Sequence, residues 1–579
     1  MKRTKIVATI GPASESEDLL RAIFKEGVNV CRLNFSHGSH EEHLGRILKI
    51  KKIREELNLP IAIMLDTKGP EIRLGLFKDM MSVNLEVGDK FVLTTRDIEG
   101  DSSIASVSYK ELPNDVKVDS RILIDDGLVE LRVDKIEDTE IYTTVSNGGT
   151  ISSRKGVNVP GIHLNLPALT QRDKEDIRFG VENDIDFIAA SFVRSRNDVL
   201  EIRKVLEDAG NFDIKIISKI ESDTGLENLD EILEVSDGIM VARGDLGVEI
   251  PTEEVPLAQK EMIKKCNLKG KVVITATQML DSMIRNPRPT RAEANDVANA
   301  VLDGTSAVML SGETASGKYP VEAVRTMRKI VEVTENSIDY KELLRKRIDE
   351  LSNDTTNAIG KSTCTMAEDL GAKAIITATT SGFTTRAISK FRPRCEIIAA
   401  TTEEKVRRQL ALEWGAVSML VSKFETTDDV IDNSIQKALE ENLVKGGDRV
   451  IITAGVPVGL AGSTNLIKVE TISEIISKGT VMGEKSITGR AVVVKSEDDL
   501  INNFKDGDII VINNTYKEIM HYVNRAGGLV TEEGGYTSHG AIAGINLEIP
   551  TIVGVKEVLN KLKTGDIITI NAEDSTIRR

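Results

Sequence analysis

The sequence predicts an α/β protein built on a (β/α)8 TIM barrel, with an inserted all-β domain, an open α/β domain and a further C-terminal domain. Eight short, β-rich apolar runs recur over the first ~315 residues, most of them separated by amphipathic helical patterns. The runs are continuous rather than alternating, as expected for parallel strands covered by helices. Polar residues collect at their C-terminal ends, where such a barrel carries its active site.

The runs are Ile6–Ile10, Asn29–Phe35, Ile61–Thr67, Phe187–Val193, Lys215–Glu221, Gly238–Asp245, Val272–Met279 and Ala307–Glu313. Asp18–Phe24 reads as a helix after the first. Thr290-Arg291-Ala292-Glu293 is a capping box opening another, with Ala294, Val297, Ala298 and Val301 on one face. The ~120 residues between the third and fourth runs contain short strands at Lys90–Thr94, Arg121–Ile124, Leu128–Val133 and Ile141–Val145. Turn signals at Asp126-Gly127 and Asn147-Gly148-Gly149 separate them. Pro70 and Pro167 bracket this insertion, which over a barrel mouth makes a lid that excludes water on closing. Beyond about residue 345, the runs Ala374–Thr377, Glu396–Ala399, Val417–Val421, Arg449–Thr453 and Leu466–Val469 alternate with helical stretches, giving the open α/β domain. From about residue 474, strands at Arg490–Val494, Asp508–Ile512 and Asp566–Ile570 alternate with glycine turns. The expected domains are 1–70 with 167–345 for the barrel, 71–166 for the β-barrel lid, 346–473 for the α/β domain and 474–579 for the last.

A net charge of -16 argues against a nucleic-acid partner, and 3% aromatics with one tryptophan, Trp414, argue against base-stacking platforms. Cys31, Cys266, Cys364 and Cys395 are scattered, which fits a reducing cytoplasm rather than a disulfide framework or zinc site. The basic Met1–Lys5 is followed only by Ile6–Ile10, too short for a signal sequence, and no run is long enough to span a membrane.

The polar strand ends carry the chemistry. The second run ends Arg32-Leu33-Asn34-Phe35-Ser36-His37, the third Asp66-Thr67-Lys68, the seventh with Thr275, Thr277 and Gln278. The fifth ends with Lys219 and Glu221, two apart and therefore on one face of an extended strand. The sixth ends with Arg243 and Asp245. A cation and a carboxylate closing a buried strand are costly unless something binds between them. Carboxylates on two such strands point to a divalent metal and an anionic substrate.

These residues resemble the pyruvate kinase family. The resemblance rests on Arg32–Gly38, Leu65–Arg73, Ile217–Glu221, Met240–Gly247 and Thr275–Leu280, in family order, and it covers about residues 1 to 473. It implies phosphoryl transfer from phosphoenolpyruvate to ADP, in which positioning and positive charge do most of the work. Glu221 and Asp245 look like ligands of Mg2+ (or Mn2+), a hard ion suited to carboxylates. Lys219 is then expected to face the transferring phosphoryl group, so that it need not pair with Glu221. Arg32 is similar to the arginine that binds the same group. Gly244, Asp245 and Thr277 match the substrate-carboxylate site, and Thr277 also lies near the carbon to be protonated. Asn34, Ser36, Asp66 and Thr67 match the K+ site, and Glu71 resembles the glutamate of K+-dependent members. Arg73 and Lys155 match nucleotide-phosphate contacts, with Asn34 and His37 as further nucleotide neighbours. Homotetramers are usual in the family.

Thr379-Thr380-Ser381-Gly382 with Thr384 sets hydroxyls and a glycine before a helix, and the resemblance implies a phosphorylated allosteric effector there, with Gly455–Asn465 as a nearby loop. Leu529–Ala543 resembles the swivelling phosphohistidine domain of phosphoenolpyruvate synthases, with His539 at the phosphorylated position. The pattern departs at Gly540, usually alanine, and no partner domain to charge the histidine is found, so His539 reads as vestigial. Gly312–Tyr319 is similar to a P-loop, but Tyr319 replaces the required Ser or Thr. His37, His40 and His43 have metal-like spacing but read as a solvated helix start. Two other functions are weighed: a Mg2+-dependent aldolase or lyase, which needs no nucleotide site, and a catalytically silent metabolite sensor.

Overall fold

The computed structural model describes residues 2–162, 164–351, 354–423, 426–455 and 464–579. Eight parallel strands close into a barrel in sequential order. They are Lys5–Thr9, Val30–Asn34, Ala62–Asp66, Phe187–Ala190, Lys215–Ile220, Gly238–Ala242, Val272–Ala276 and Ala307–Leu310. Seven fall inside their apolar runs, and the first begins one residue earlier, at Lys5. The first and eighth strands close the ring through Lys5↔Ala307 to Ala8↔Leu310. Thr9 seals the seam, since its Oγ1 donates to Leu310 O at 2.9 Å.

The strands read as continuously apolar because both faces are buried. Side chains such as Ile6, Leu33, Leu65 and Ile188 pack outward against helices, while Val7, Val30, Met64 and Ile217 fill the interior. Thr290 and Glu293 form the expected capping box, and the helix Arg291–Asp303 follows. Arg243 and Asp245 are not strand residues: the sixth strand stops at Ala242 and a short helix, Arg243–Glu249, starts at once. The strand thus delivers Asp245 on a first helical turn, where N–H groups are free of intrahelical partners. The P-loop lookalike is a connection, with a single helical turn at Gly312–Ala315 after the eighth strand.

The insertion folds into a seven-stranded sheet and a two-stranded one. The edge strands of the larger sheet, Ile72–Arg73 and Ile104–Ser106, are brought together by a bridge between Leu74 and Val107, which gives the barrel-like curl. Its own core includes Phe91, Leu93, Ile122, Leu131 and Ile141. A separate sheet orders Ala416–Leu420, Glu396–Thr401, Ala374–Ala378, Arg449–Ala454 and Leu466–Thr471 side by side, the open α/β arrangement expected.

The barrel and lid belong to one compact unit, made of Met1–Asp369, Ile375–Ser434 and Ile452–Ile467. A second unit holds Lys468–Arg579 with Leu370–Ala374 and Ile435–Ile451. Its eight-stranded sheet includes parallel neighbours Ile487–Val494, Ile509–Ile512, Gly528–Thr531 and Thr551–Val553. His539 opens the helix His539–Leu547, capped by Ser538, and its Nδ1 lies 2.7 Å from Thr515 Oγ1. The glycine at 540 has a packing reason: a Cβ there would sit 2.8 Å from Thr531 Cγ2. Among the described residues, no helix is long and apolar enough to cross a membrane.

Candidate active site

The ends of the second to seventh strands converge on a buried cluster of charge. Register places Asn34 opposite Asp66 and Asp66 opposite Ala189. Asp66 is 1% exposed and accepts from Arg32 Nε at 2.6 Å. Its other oxygen lies 3.3 Å from Lys219 Nζ. Burial alone would raise the Asp66 carboxyl, but the Arg32 and Lys219 charges outweigh it and hold the group below its usual range. Arg32 Nη1 also donates to Thr9 Oγ1 at 3.0 Å, which ties its guanidinium to the barrel seam.

Lys219 and Glu221 pair, with Nζ and Oε1 2.9 Å apart. Glu221 is 1% and Lys219 12% exposed at the side chain, and the ammonium lies within ion-pair distance of both Asp66 and Glu221. Burial opposes the charge on Lys219, yet Asp66 and Glu221 overcome it and keep the ammonium more basic than usual. For Glu221 burial dominates, and with Asp245 repelling it the carboxyl is pushed up to about 7 despite Lys219. Asp245 is raised too, mainly by burial. Two neighbouring carboxylates that resist ionising, Glu221 buried and Asp245 partly so, form a donor set short of positive charge, which a divalent cation would supply. Among the described residues no group of three or more acidic, His or Cys side chains forms a metal cage. The set therefore fits an ion that keeps two protein carboxylates and completes its shell from water and substrate oxygens, as Mg2+ does.

Thr277 shows what sequence could not. Its φ is 63° and that of Gln278 is 54°, left-handed backbone that a β-branched residue adopts at a cost of about 1–3 kcal/mol. Surrounding groups hold the strain. Arg243 donates to Ala276 O at 3.0 Å and to Thr277 O at 2.7 Å, and is itself anchored by Asp296 at 2.6 Å. Buried Glu313 accepts from Leu280 N at 3.0 Å on the far side of the loop. Thr277 Oγ1 consequently meets Gly244 N at 2.9 Å, joining the substrate-carboxylate residues. Arg243→Lys keeps the charge but loses the planar fork that spans two carbonyls. The expected result is a fall in kcat of ~10²-fold with unchanged overall folding, read by steady-state kinetics and circular dichroism.

Ser191, just past the fourth strand, was missed. Its Oγ accepts from Lys219 Nζ at 2.8 Å and donates to Thr67 O at 2.6 Å, so it orients the lysine. Phe192, also left-handed at φ 55°, donates its N–H to Glu221 at 2.6 Å. The only sequence signal was a serine interrupting the apolar run Phe187–Val193.

Between barrel and lid lies a cleft of about 320 Å³, lined by Arg73, Asp125, Lys155, Asn158, Asp245 and Glu249 among others. Two of its cations are held by local acids: Arg73 Nε to Glu71 at 2.6 Å, Lys155 to Asp125 at 2.8 Å. Asn158 of the lid donates to Glu249 of the barrel at 2.8 Å. Of the K+ candidates, Asn34 accepts from Ser36 N at 3.1 Å and Thr67 Oγ1 from Ser191 N at 3.1 Å, while Asp66 is engaged by Arg32 and Lys219. His37 is exposed and does not line the cleft. His43 corrects the reading of a solvated helix start, being buried and stacked on Phe35 at 3.9 Å. Near the effector motif, Gly382 has φ 80° and no side-chain cap bond, Thr379 and Thr384 are buried, and Thr380 and Ser381 are half-buried. Residues 456–463 of the neighbouring loop lie outside the described residues.

The family model described as "Pyruvate kinase, barrel domain" matches residues 1–324, more than half the chain. The chain belongs to the pyruvate kinase family. "Pyruvate kinase, alpha/beta domain" matches residues 357–470 and "PEP-utilising enzyme, mobile domain" residues 504–575. A curated pyruvate kinase from Geobacillus stearothermophilus is 51% identical over 580 residues, covering 100% of this chain and 99% of its own. One from Staphylococcus aureus (strain MRSA252) is 49% identical over 579 residues, with the same coverage of both chains. The crystal structure of a pyruvate kinase from Cryptosporidium parvum superposes with a TM-score of 0.77 at 42% identity, covering 81% of this chain and 96% of that one. The activity is therefore that of a pyruvate kinase, a metal-dependent enzyme, and neither the aldolase nor the silent-sensor reading has support.

Proposed function

We propose that this pyruvate kinase moves the phosphoryl group of phosphoenolpyruvate to ADP through the cluster around Lys219. The observation that carries this reading is the convergence of Arg32 and Lys219 on Asp66, at 2.6 and 3.3 Å, beside Glu221 and Asp245. Two buried cations at one barrel mouth suit a dianionic phosphoryl group whose charge spreads in the transition state. On binding, Lys219 exchanges Glu221 for phosphoryl oxygens, and Arg32 meets the same group from the second strand. The Gly244 and Asp245 N–H groups and Thr277 Oγ1 hold the substrate carboxylate. Arg73 and Lys155 leave their acidic neighbours for nucleotide phosphates, with Asn34 and His37 near the nucleotide, and the lid excludes water.

Glu221 and Asp245 would hold Mg2+ (or Mn2+), which supplies charge neutralisation between the substrates. Asn34, Ser36, Asp66 and Thr67 would hold K+, with Glu71 marking the dependence. The enzyme acts in the cytoplasm as a homotetramer, and a phosphorylated effector regulates it at Thr379, Thr380, Ser381, Gly382 and Thr384. His539 is a vestigial phosphohistidine position.

A coupled assay with phosphoenolpyruvate, ADP, Mg2+ and K+, scored for pyruvate and ATP, tests the reading. Turnover is expected only with all four present, and full activity without K+ would remove the K+ assignment. For His539→Ala, unchanged activity and regulation are expected. An acid-labile phosphohistidine after incubation with phosphoenolpyruvate would show that the position is in use.

A further inference from the structure

At the end of the barrel opposite the cleft, Phe187, Lys215 and Val272 open the fourth, fifth and seventh strands, and Asp237 precedes the sixth. In the same compact unit, the helix Phe383–Ser389, Lys390 and the stretch 409–413 face them. A cavity of about 320 Å³ lies between, with apolar wall from Ile217, Val272 and Leu412.

The charges around this cavity do not cancel as packed surfaces usually arrange. Lys215 and Asp237 do pair, at 3.7 Å, and Arg203 also reaches Asp237 at 3.1 Å. Lys269, Lys271, Arg386 and Lys390 line the cavity and none has an acidic partner within ion-pair distance among the described residues. Lys271 donates to Ser236 O at 2.5 Å and Arg386 to Ser381 O at 3.1 Å, so both are held by carbonyls alone. Glu413 is the opposite case. It is 8% exposed, lines the same cavity, and its carboxylate makes neither a hydrogen bond nor an ion pair among the described residues. Burial pushes Glu413 up, against the attraction of Arg386, Arg392 and Lys5, and pushes Lys271 and Lys390 down, against that of Asp237 and Asp354. Holding an unpaired carboxylate and unpaired cations around one void costs stability, and a bound molecule that meets both removes the cost.

We propose that this cavity is a second small-molecule site, which takes a small organic phosphate with its phosphate among Lys269, Lys271, Arg386 and Lys390 and a hydroxyl on Glu413. The excess of cations selects an anion, the acceptor-only carboxylate selects a hydroxyl donor, and the volume lies within the range of ligand pockets. Thr379–Gly382 do not line it, so it is distinct from the effector motif, although the helix Phe383–Ser389 follows that motif directly.

Isothermal titration calorimetry on the full chain, with sorbitol 6-phosphate, sorbitol and inorganic phosphate as probes, tests this. Sorbitol 6-phosphate is expected to bind and sorbitol to give no heat. Lys269→Gln, at an exposed side chain that puts no fold at risk, and Lys269→Gln with Lys390→Gln should weaken binding, the double variant by about tenfold or more. Glu413→Gln should weaken sorbitol 6-phosphate while leaving inorganic phosphate unchanged, and Thr380→Val should alter neither. Absence of sorbitol 6-phosphate binding to the wild type overturns the proposal. So does loss of binding in Thr380→Val with retention in the double lysine variant. Inorganic phosphate binding as tightly as sorbitol 6-phosphate would overturn the assignment to an organic phosphate.

Discussion

Lys219→Met is expected to lower kcat by about a thousandfold or more while phosphoenolpyruvate still binds. The ammonium lies within 3.3 Å of Asp66, Glu221 and Ser191 and is kept charged by its two acidic neighbours. Methionine keeps an unbranched apolar stem one atom shorter, so the barrel interior stays largely filled. What disappears is the charge that meets the phosphoryl group as its own charge redistributes. Substrate binding survives because Arg32 and the Gly244–Thr277 site remain. Rapid-quench kinetics with a separate binding titration reads both quantities. A variant that turned over near the wild-type rate would refute the role given to Lys219.

Asp66→Asn attacks the same cluster from its acidic side, and stability should fall with activity. Arg32 and Lys219 are 11% and 12% exposed at their side chains, and Asp66 is the counterion they share. Removing it leaves two buried cations with Glu221 alone, at an expected cost of about 3–5 kcal/mol in denaturant unfolding. The pH dependence identifies the cause. The folded carboxyl is depressed below its unfolded value of about 3.9, so its contribution is fully present above that pH. It is lost as pH falls through the folded value. The gap between wild type and variant should therefore close in acid. A gap that persisted undiminished at low pH would mean that Asp66 stabilises by packing.

Much of this cluster is legible in sequence because barrel geometry turns strand ends into neighbours. Arg32, Asp66, Lys219 and Asp245 lie far apart along the chain, yet each closes an apolar run, and that suffices to group them. Sheet pairing cannot say which charges touch, and so the Lys219–Glu221 contact is visible only in the structure. Left-handed backbone at Thr277 is invisible for a different reason. Nothing in a threonine signals positive φ, and the groups that enforce it, Arg243 and Glu313, act across the barrel rather than along the chain. His43 was misread because helix polarity was judged from neighbouring glutamates, whereas one helical face turns inward onto Phe35. Asp245 was assigned to a strand because an apolar run and a helix start share the same letters at Ala242-Arg243.

Barrel closure has a consequence for the birth of the enzyme. Arg32 is aligned through Thr9, whose hydroxyl is fixed by Leu310 of the last strand. The earliest-made part of the site therefore waits for almost the last-made part of the barrel. Loops of that length close slowly, and strands with open edges are vulnerable until they do. A growing chain on the ribosome would display the right residues with no means of aligning them. Catalytic competence arrives late and all at once, when the eighth strand is released and zips against the first.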